Sequence, residues 1–282
     1  MLTASAFFRT PASNLTPAME QEFFSSLMAR NKTYKTTFHK RFEEINRYLV
    51  QEIKSGHMHA GSILDIGISS GISTVELYEE LRSQGVQTKI VGTDILVHAY
   101  LVKVFHDCYA MVDSEGFPLR LDVFGRGMLP WVRSQDYNTG FFVIRKLINV
   151  IFAGRSRRIL SRAPDSRIQN VKLVTPRLLS SDDIRVCRDD IAQYNPEFAQ
   201  KFDLIRAANV MNKGYFSEEV LQAMLKNIRK YLSGTDSGLL IVRTHEDNVN
   251  HGTLFRTAEN GHLEVVERFG AGSEIESMVL RL

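Results

Sequence analysis

The chain has 282 residues, 44% of them hydrophobic, with 35 Lys and Arg against 32 Asp and Glu. That length suits one large globular domain, or one domain with additions, and a formal charge of +3 gives no ground for wholesale nucleic-acid binding beyond a local basic patch. No run of about 18 uncharged apolar residues occurs, which argues against a membrane-spanning helix. The two cysteines, Cys108 and Cys187, lack CxxC or Cys/His spacing, so no metal site is expected and free thiols in a reducing, cytoplasmic compartment are.

The first residues, MLTASAFFRTPASNLT, hold only a short apolar piece before Arg9 and read as a loose tail. PAMEQEFFSSLMARNKTYKTTFHKRFEEINRYLVQEI reads as helix broken near Asn31, with Phe38, Phe42, Ile45 and Leu49 forming an apolar stripe. GSILDIG reads as a buried strand, STVELYEELRSQG as a helix ended by Gly85, and TKIVGTDI as the next strand. Further on, KFDLIRAAN is a strand, SEEVLQAMLKNIRKYLSG a helix with a Ser217 cap and a Gly234 stop, and GLLIVRT a strand. HLEVVERFG and SEIESMVLRL form the expected closing antiparallel pair. Strands alternating with helices imply a mostly parallel sheet covered on both faces, hence an α/β fold.

Residues 97–187 interrupt this rhythm. YAMVDSEGFPLRLDVFG is expected to be a hairpin turning at Ser114 to Gly116, and TGFFVIRKLINVIFAGRSRRIL a helix with a basic end. The block is too long for one crossover. The expected organisation is therefore 1–59 as an N-terminal tail and helical lid, and 60–282 as one domain with an inserted subdomain at about 97–187.

ILDIGISSGISTVEL carries the sharpest signal. A parallel strand that turns abruptly into a helix needs residues tolerant of positive φ, and helix-end amides then face the crevice where open α/β sheets bind ligands. The dinucleotide pattern GxGxxG and the Gly-Lys-Ser/Thr of a P-loop are both absent. Asp65, just before Gly67, would repel a pyrophosphate and attract an ammonium or a sulfonium.

These residues resemble the first motif of class I S-adenosylmethionine (SAM)-dependent methyltransferases, with Ser69 in place of the middle glycine. The resemblance extends to KIVGTDI, to RVCRDDIAQ, to FDLIRAANVMNKGYF, which is similar to chemotaxis-receptor methyltransferases, and to IRKYLSGTDSGLLIV. It implies a Rossmann-like methyltransferase sheet, mostly parallel with a C-terminal antiparallel hairpin, plus the helical N-terminal extension and large insert. It also implies SAM as cofactor, with S-adenosylhomocysteine as product. By the same resemblance Asp65 orients the network around the amino-acid part, while Gly67, Ser69 and Gly71 let the backbone approach. Asp94 would accept both ribose hydroxyls. Asp190 would meet the adenine amino group and Ile191 the ring. Ala208 and Asn209 would line the floor, and Tyr34 would contribute from the lid.

Methyl transfer needs alignment and, for a protonated nucleophile, a base. THEDNVNHG, after the fifth strand, offers His245 and then His251 for that role; its other reading is a solvated loop. A small-molecule acceptor is the first expectation and a protein carboxylate the second. A non-catalytic SAM-binding or membrane-associated protein is the third. The last has its own signal: in 141–162, aliphatic residues and Arg145, Lys146, Arg155, Arg157, Arg158 and Arg162 suit peripheral contact with an anionic membrane, or a helix packed on the domain with a basic end. Oligomeric state is not legible.

Overall fold

The computed structural model describes residues 2–28, 38–132, 136–137, 140–245 and 247–282. The chain divides into two compact units, one of Met1–His39 with Leu96–Arg177 and one of Lys40–Ile95 with Leu178–Leu282. The principal helices are α1 (Ala4–Phe7), α2 (Pro17–Ser25), α3 (Glu43–Lys54), α4 (Ile72–Ser83), α5 (Phe141–Leu160), α6 (Glu218–Tyr231) and α7 (Glu276–Val279). The strands are β1 (Ser62–Ile66), β2 (Lys89–Asp94), β3 (His98–Phe105), β4 (Cys108–Val112), β5 (Pro118–Val123), β6 (Arg126–Met128), β7 (Ile168–Lys172), β8 (Ile184–Arg188), β9 (Leu204–Ala208), β10 (Gly238–Thr244), β11 (Asn250–Thr257) and β12 (Leu263–Phe269).

The second unit holds a seven-stranded sheet in the order β12-β11-β10-β9-β1-β2-β8. From β10 to β8 every neighbour is parallel, and β11 runs antiparallel to both β10 and β12. This is the α/β, Rossmann-like sheet expected from the sequence, closed by an antiparallel hairpin. The parallel strands are short apolar runs because both faces are covered. Ile63, Leu64, Ile205, Leu239 and Leu240 are all almost fully buried. α6 contributes Leu221, Leu225 and Ile228, spaced for one helical face and each 0% exposed. Phe42, Ile45 and Leu49 form the buried stripe of α3 as read, whereas Phe38 lies before the helix and is exposed.

The closing pair differs from expectation. HLEVVERFG supplies β12, but its partner is β11, whose first three residues, Asn250 to Gly252, read as the end of a polar loop. SEIESMVLRL ends in the short helix α7, because Ile275, Met278 and Val279 are buried at helical spacing, not alternation.

The first unit holds a five-stranded antiparallel sheet, β6-β5-β4-β3-β7. The anticipated hairpin is β4–β5: Gly116 takes φ +75°, and Asp113 Oδ1 accepts the amides of Glu115 (2.9 Å) and Phe117 (2.8 Å). α5 runs where the helix was read and packs Phe152 and Ile159 onto Val102, Ala110 and Leu121. The N-terminal residues are not a loose tail. Asp122, 1% exposed, accepts the amides of Ala4 (2.9 Å) and Ser5 (2.8 Å), and Phe7 stacks on Phe23 at 3.9 Å between centroids. Two diphenylalanine pairs spaced along an otherwise polar segment were the sequence cue for that small core. Among the described residues no helix is long and apolar enough to cross a membrane, and no group of three or more His, Cys, Asp or Glu is arranged to hold a metal.

Candidate functional site

β1 has β2 on one side and β9 on the other, so the chain reverses its direction of travel across the sheet at the carboxyl end of β1. That is where open α/β sheets present a ligand crevice. Three residues of the following bend, Gly67, Ser69 and Gly71, take positive φ (68°, 55° and 76°), which explains the two glycines and makes Ser69 a strained exception. The amides of Gly67 (2.7 Å) and Ile68 (3.0 Å) donate to Thr93 O. The Gly71 amide donates to Ile68 O, and the Ser69 amide donates to Asp94 Oδ2 at 2.8 Å. Gly71 is also the N-cap of α4, where it has no side chain with which to cap. The first-turn amides of this twelve-residue helix then form a positive end at the crevice.

The two glycines also have packing reasons. A Cβ at Gly67 would lie 2.2 Å from Val210 Cγ2, and one at Gly71 would lie 2.8 Å from Leu178 Cδ2. Approach to Gly67 from the β9 side is therefore occupied by Val210.

Asp65 is 2% exposed and stands in register with Arg206 of β9. Arg206 Nε donates to Oδ1 at 2.9 Å and Nη2 to Oδ2 at 2.5 Å, and Thr74 Oγ1 donates to Oδ2 at 2.7 Å. The carboxylate is thus half of a sealed, electrically neutral pair. The expected attraction of Asp65 for a sulfonium does not stand; Arg206, itself 1% exposed, has already supplied the cation. The signal that would have found Arg206 was a charge inside the apolar strand KFDLIRAAN, since a buried charge requires a partner. Thr74 and Val210 carried no comparable mark.

Asp94 ends β2, is half-buried and is tied to the bend through Ser69. Of the expected adenine contacts, Ile191 is 6% exposed and belongs to the core. Asp190 is exposed, and its carboxylate accepts from Ala192 N (3.1 Å) and Gln193 Nε2 (3.3 Å) within its own turn. The neighbouring Asp189, half-buried, accepts from Asn195 Nδ2 at 2.9 Å, and burial pushes its carboxyl above the ordinary value. Ala208 and Asn209 sit at the end of β9. Asn209, at φ +60°, accepts the Thr244 amide at 2.7 Å, and Thr244 Oγ1 donates to Asn250 Oδ1 at 2.8 Å. Asn250 Nδ2 in turn donates to Arg41 O at 2.7 Å, so the chain entering α3 is tied to this same edge. Tyr34 and Glu246 lie outside the described residues.

His245 is exposed at the end of β10, and its ring meets that of His251 at 4.5 Å, edge to face. His251 Nδ1 accepts the Ala271 amide at 2.7 Å. That assigns the neutral His251 proton to Nε2 and leaves no free lone pair for a base. Of the two candidates, His245 is the one whose ring is not engaged in this way by the Ala271 amide. A hollow of about 500 Å³ lined by Arg47, Lys54, Glu80 and Gln84 lies between α3 and the far end of α4, away from the bend, and contains none of these residues.

No protein-family model matches the chain, and no curated protein does. Solved structures do. The chain is similar to N-methyltransferase NodS from Bradyrhizobium japonicum WM9, at 13% identity and TM-score 0.33, over 72% of this chain and 69% of that one. It is similar to the CMeT domain of the citrinin polyketide synthase at 14% and 0.37, over 87% and 43%. It is also similar to Haemonchus contortus phosphoethanolamine N-methyltransferase 1, in complex with phosphoethanolamine and S-adenosylhomocysteine, at 11% and 0.33, over 83% and 34%. Across five comparisons of this kind, the CMeT domain among them, the chain spans about half the length of the solved structure (47%, 36%, 57%, 43% and 50%). The likeness of the three named structures is too low for any functional residue to be carried over.

Proposed function

We propose that the chain is a SAM-dependent methyltransferase acting on a small-molecule acceptor. The observation that carries this reading is the Ser69–Asp94 hydrogen bond at the point where the sheet reverses. It fixes a carboxylate beside a bend with three left-handed residues and an uncapped helix N-terminus. An acid suits paired ribose hydroxyls, and a helix N-terminus suits the carboxylate of the methionine part. When bound, SAM supplies a methyl carbon activated by positive sulfur. That methyl would pass to a lone pair of the acceptor with S-adenosylhomocysteine as the leaving group, and His245 would take the acceptor's proton where there is one. Asp65 acts from below: with Arg206 and Thr74 it holds β1, β9 and α4 in place. Val210 must turn aside for the ligand to reach Gly67.

Calorimetry with SAM, S-adenosylhomocysteine and NAD tests this on wild type and Asp94→Ala. The first two should bind, NAD should not, and the variant should lose about 2 kcal/mol or more, as for truncating a buried charged hydrogen-bond partner. Undiminished SAM affinity in Asp94→Ala would remove the ribose assignment. A non-catalytic SAM-binding protein is the second reading. It is favoured by the engagement of His251 Nδ1, which leaves His245 alone among the two candidate bases. Tight SAM binding with no S-adenosylhomocysteine released across a panel of acceptors would establish it.

A further inference from the structure

The formal charge of +3 conceals a separation. The unit of Met1–His39 with Leu96–Arg177 carries 17 Lys and Arg against 8 Asp and Glu, a charge of +9; the other carries 18 against 24, a charge of −6. Within the basic unit the excess gathers around α5. From 137 to 164 there are six basic residues and no acidic one.

α5 has two faces. Inward, Phe152, Ser156 and Ile159 are buried, and Arg145 is paired with Asp136, Nε to Oδ2 at 2.8 Å. Outward stand Val143 (57% exposed), Ile144 (51%), Leu147 (60%), Val150 (66%) and Ile151 (45%). At about 100° per residue these five fall within an arc of about 120°. The exposed Lys146 and Arg157 flank that arc on one edge, and Arg158 continues it toward the C-terminal end. Among the described residues nothing covers these five neighbouring aliphatic side chains, an unusual surface to leave in water.

We infer that the outer face of α5 docks on an anionic lipid surface, with its aliphatic arc among the acyl chains and its basic edge among the head groups. Charge and shape both select this occupant. A nucleic acid would be drawn by the charge but would have nothing to offer the aliphatic centre. A neutral apolar groove would leave Lys146, Arg157 and Arg158 without purpose. Lys and Arg stems can extend along an apolar boundary while their charged ends stay in water. The helix is 20 residues long, about 30 Å, and too charged to cross the bilayer, so it would lie in the plane. This inference is independent of the proposed methyl transfer.

The test is sedimentation of the full chain with vesicles of phosphatidylcholine alone and of phosphatidylcholine with phosphatidylserine, at low and raised salt. Binding should be at least about tenfold stronger to the anionic vesicles and should weaken with salt. Leu147→Glu/Val150→Glu should abolish it, and Lys146→Glu/Arg158→Glu should weaken it by about fivefold or more per residue. All four positions are exposed, so circular dichroism should match wild type; the charge-reversal pair serves if the other does not fold. Equal recovery in the supernatant with and without phosphatidylserine would overturn the inference. So would vesicle binding that survives both double variants. A dimer in light scattering that Leu147→Glu/Val150→Glu dissociates, with no vesicle binding, would replace the lipid with a second copy of the chain.

Discussion

Two of the buried ion pairs, one from each unit, look alike in distance and differ in their access to water. In the parallel-sheet unit, Arg206 and Asp65 are 1% and 2% exposed and meet through two hydrogen bonds. In the antiparallel unit, Glu20 is fully buried, but its partner Arg177, 2.8 Å away, keeps 26% of its side chain in solvent. The first pair is sealed between adjacent strands, so each charge relies on the other for its countercharge, with only the Thr74 hydroxyl added on the Asp65 side. The second has a guanidinium that water still reaches, so losing one partner is partly compensated by solvent. Distance alone would rank them together; burial of the second partner separates them.

The largest expected effect breaks the sealed pair. Arg206→Met leaves the Asp65 carboxylate buried without its cation, which should cost about 3–5 kcal/mol in urea unfolding. Asp65→Leu in the same background should restore most of that loss, because an apolar pair of similar volume avoids desolvation altogether. A double variant no more stable than Arg206→Met would mean that the pair does more than neutralise itself.

A second contrast concerns two glycines with nearly the same backbone. Gly67 (φ +68°) faces Val210, stiff and β-branched; Gly116 (φ +75°) faces Arg157 Cγ, 2.4 Å from where its Cβ would stand, on a long flexible side chain. Both alanine substitutions carry left-handed strain of about 1–2 kcal/mol. Gly67→Ala should cost about 1 kcal/mol more, because overpacking against Val210 adds to the strain. The excess should vanish when both are measured in a Val210→Ala background, and a persisting excess would place its origin in the backbone instead.

These contrasts also explain what could be read from the chain. β1, its bend, α4 and β2 were legible because each is a local pattern: an apolar run, glycines at the turn, a helical period, another apolar run. α6 was legible for the same reason, through Ser217, its apolar stripe and Gly234. The Asp65–Arg206 pair was not, since its members are 141 residues apart and become neighbours only once β9 is placed beside β1. The burial of Ala4 and Phe7 was likewise hidden, as their anchor, Asp122, lies 118 residues away. β3 and β7 pair across most of the insert, His98 opposite Lys172, and β6 is three residues long; none has a local signature strong enough to name. In the site, Asp94 and the bend follow from position on the strand. The tautomer of His251 does not, because its partner is the backbone of Ala271.

Glu20→Gln tests the half-open pair. The amide keeps a hydrogen-bond acceptor for Thr175 Oγ1 and removes the charge facing Arg177. With water reaching the guanidinium, the expected cost is about 1–2 kcal/mol, below that of Arg206→Met. Added salt should narrow the gap between Glu20→Gln and wild type and leave the Arg206→Met gap unchanged. A Glu20→Gln loss equal to that of Arg206→Met would erase the distinction drawn from exposure.

The smallest effect belongs to a pair that is open on both sides, and it carries a pH signature. Glu276 accepts from Arg268 Nη2 at 2.7 Å and from Thr253 Oγ1 at 2.8 Å, and the Arg268 hydrogen bonds hold its carboxyl below the ordinary value. A depressed carboxyl favours the folded state only while it is ionised. Its contribution is therefore complete above the unfolded-state value and is lost as pH falls through the folded-state one. With 54% of the Arg268 side chain and 20% of that of Glu276 in solvent, screening leaves about 0.5 kcal/mol. Glu276→Gln should thus be slightly less stable than wild type at neutral pH, and the two unfolding midpoints should converge as the solution is acidified below the carboxylate range. Midpoints that run parallel across that range would assign the loss to the hydrogen bonds with Thr253 and Arg268 rather than to the charge, and would extend the series from sealed to half-open to open pairs only as far as Glu20.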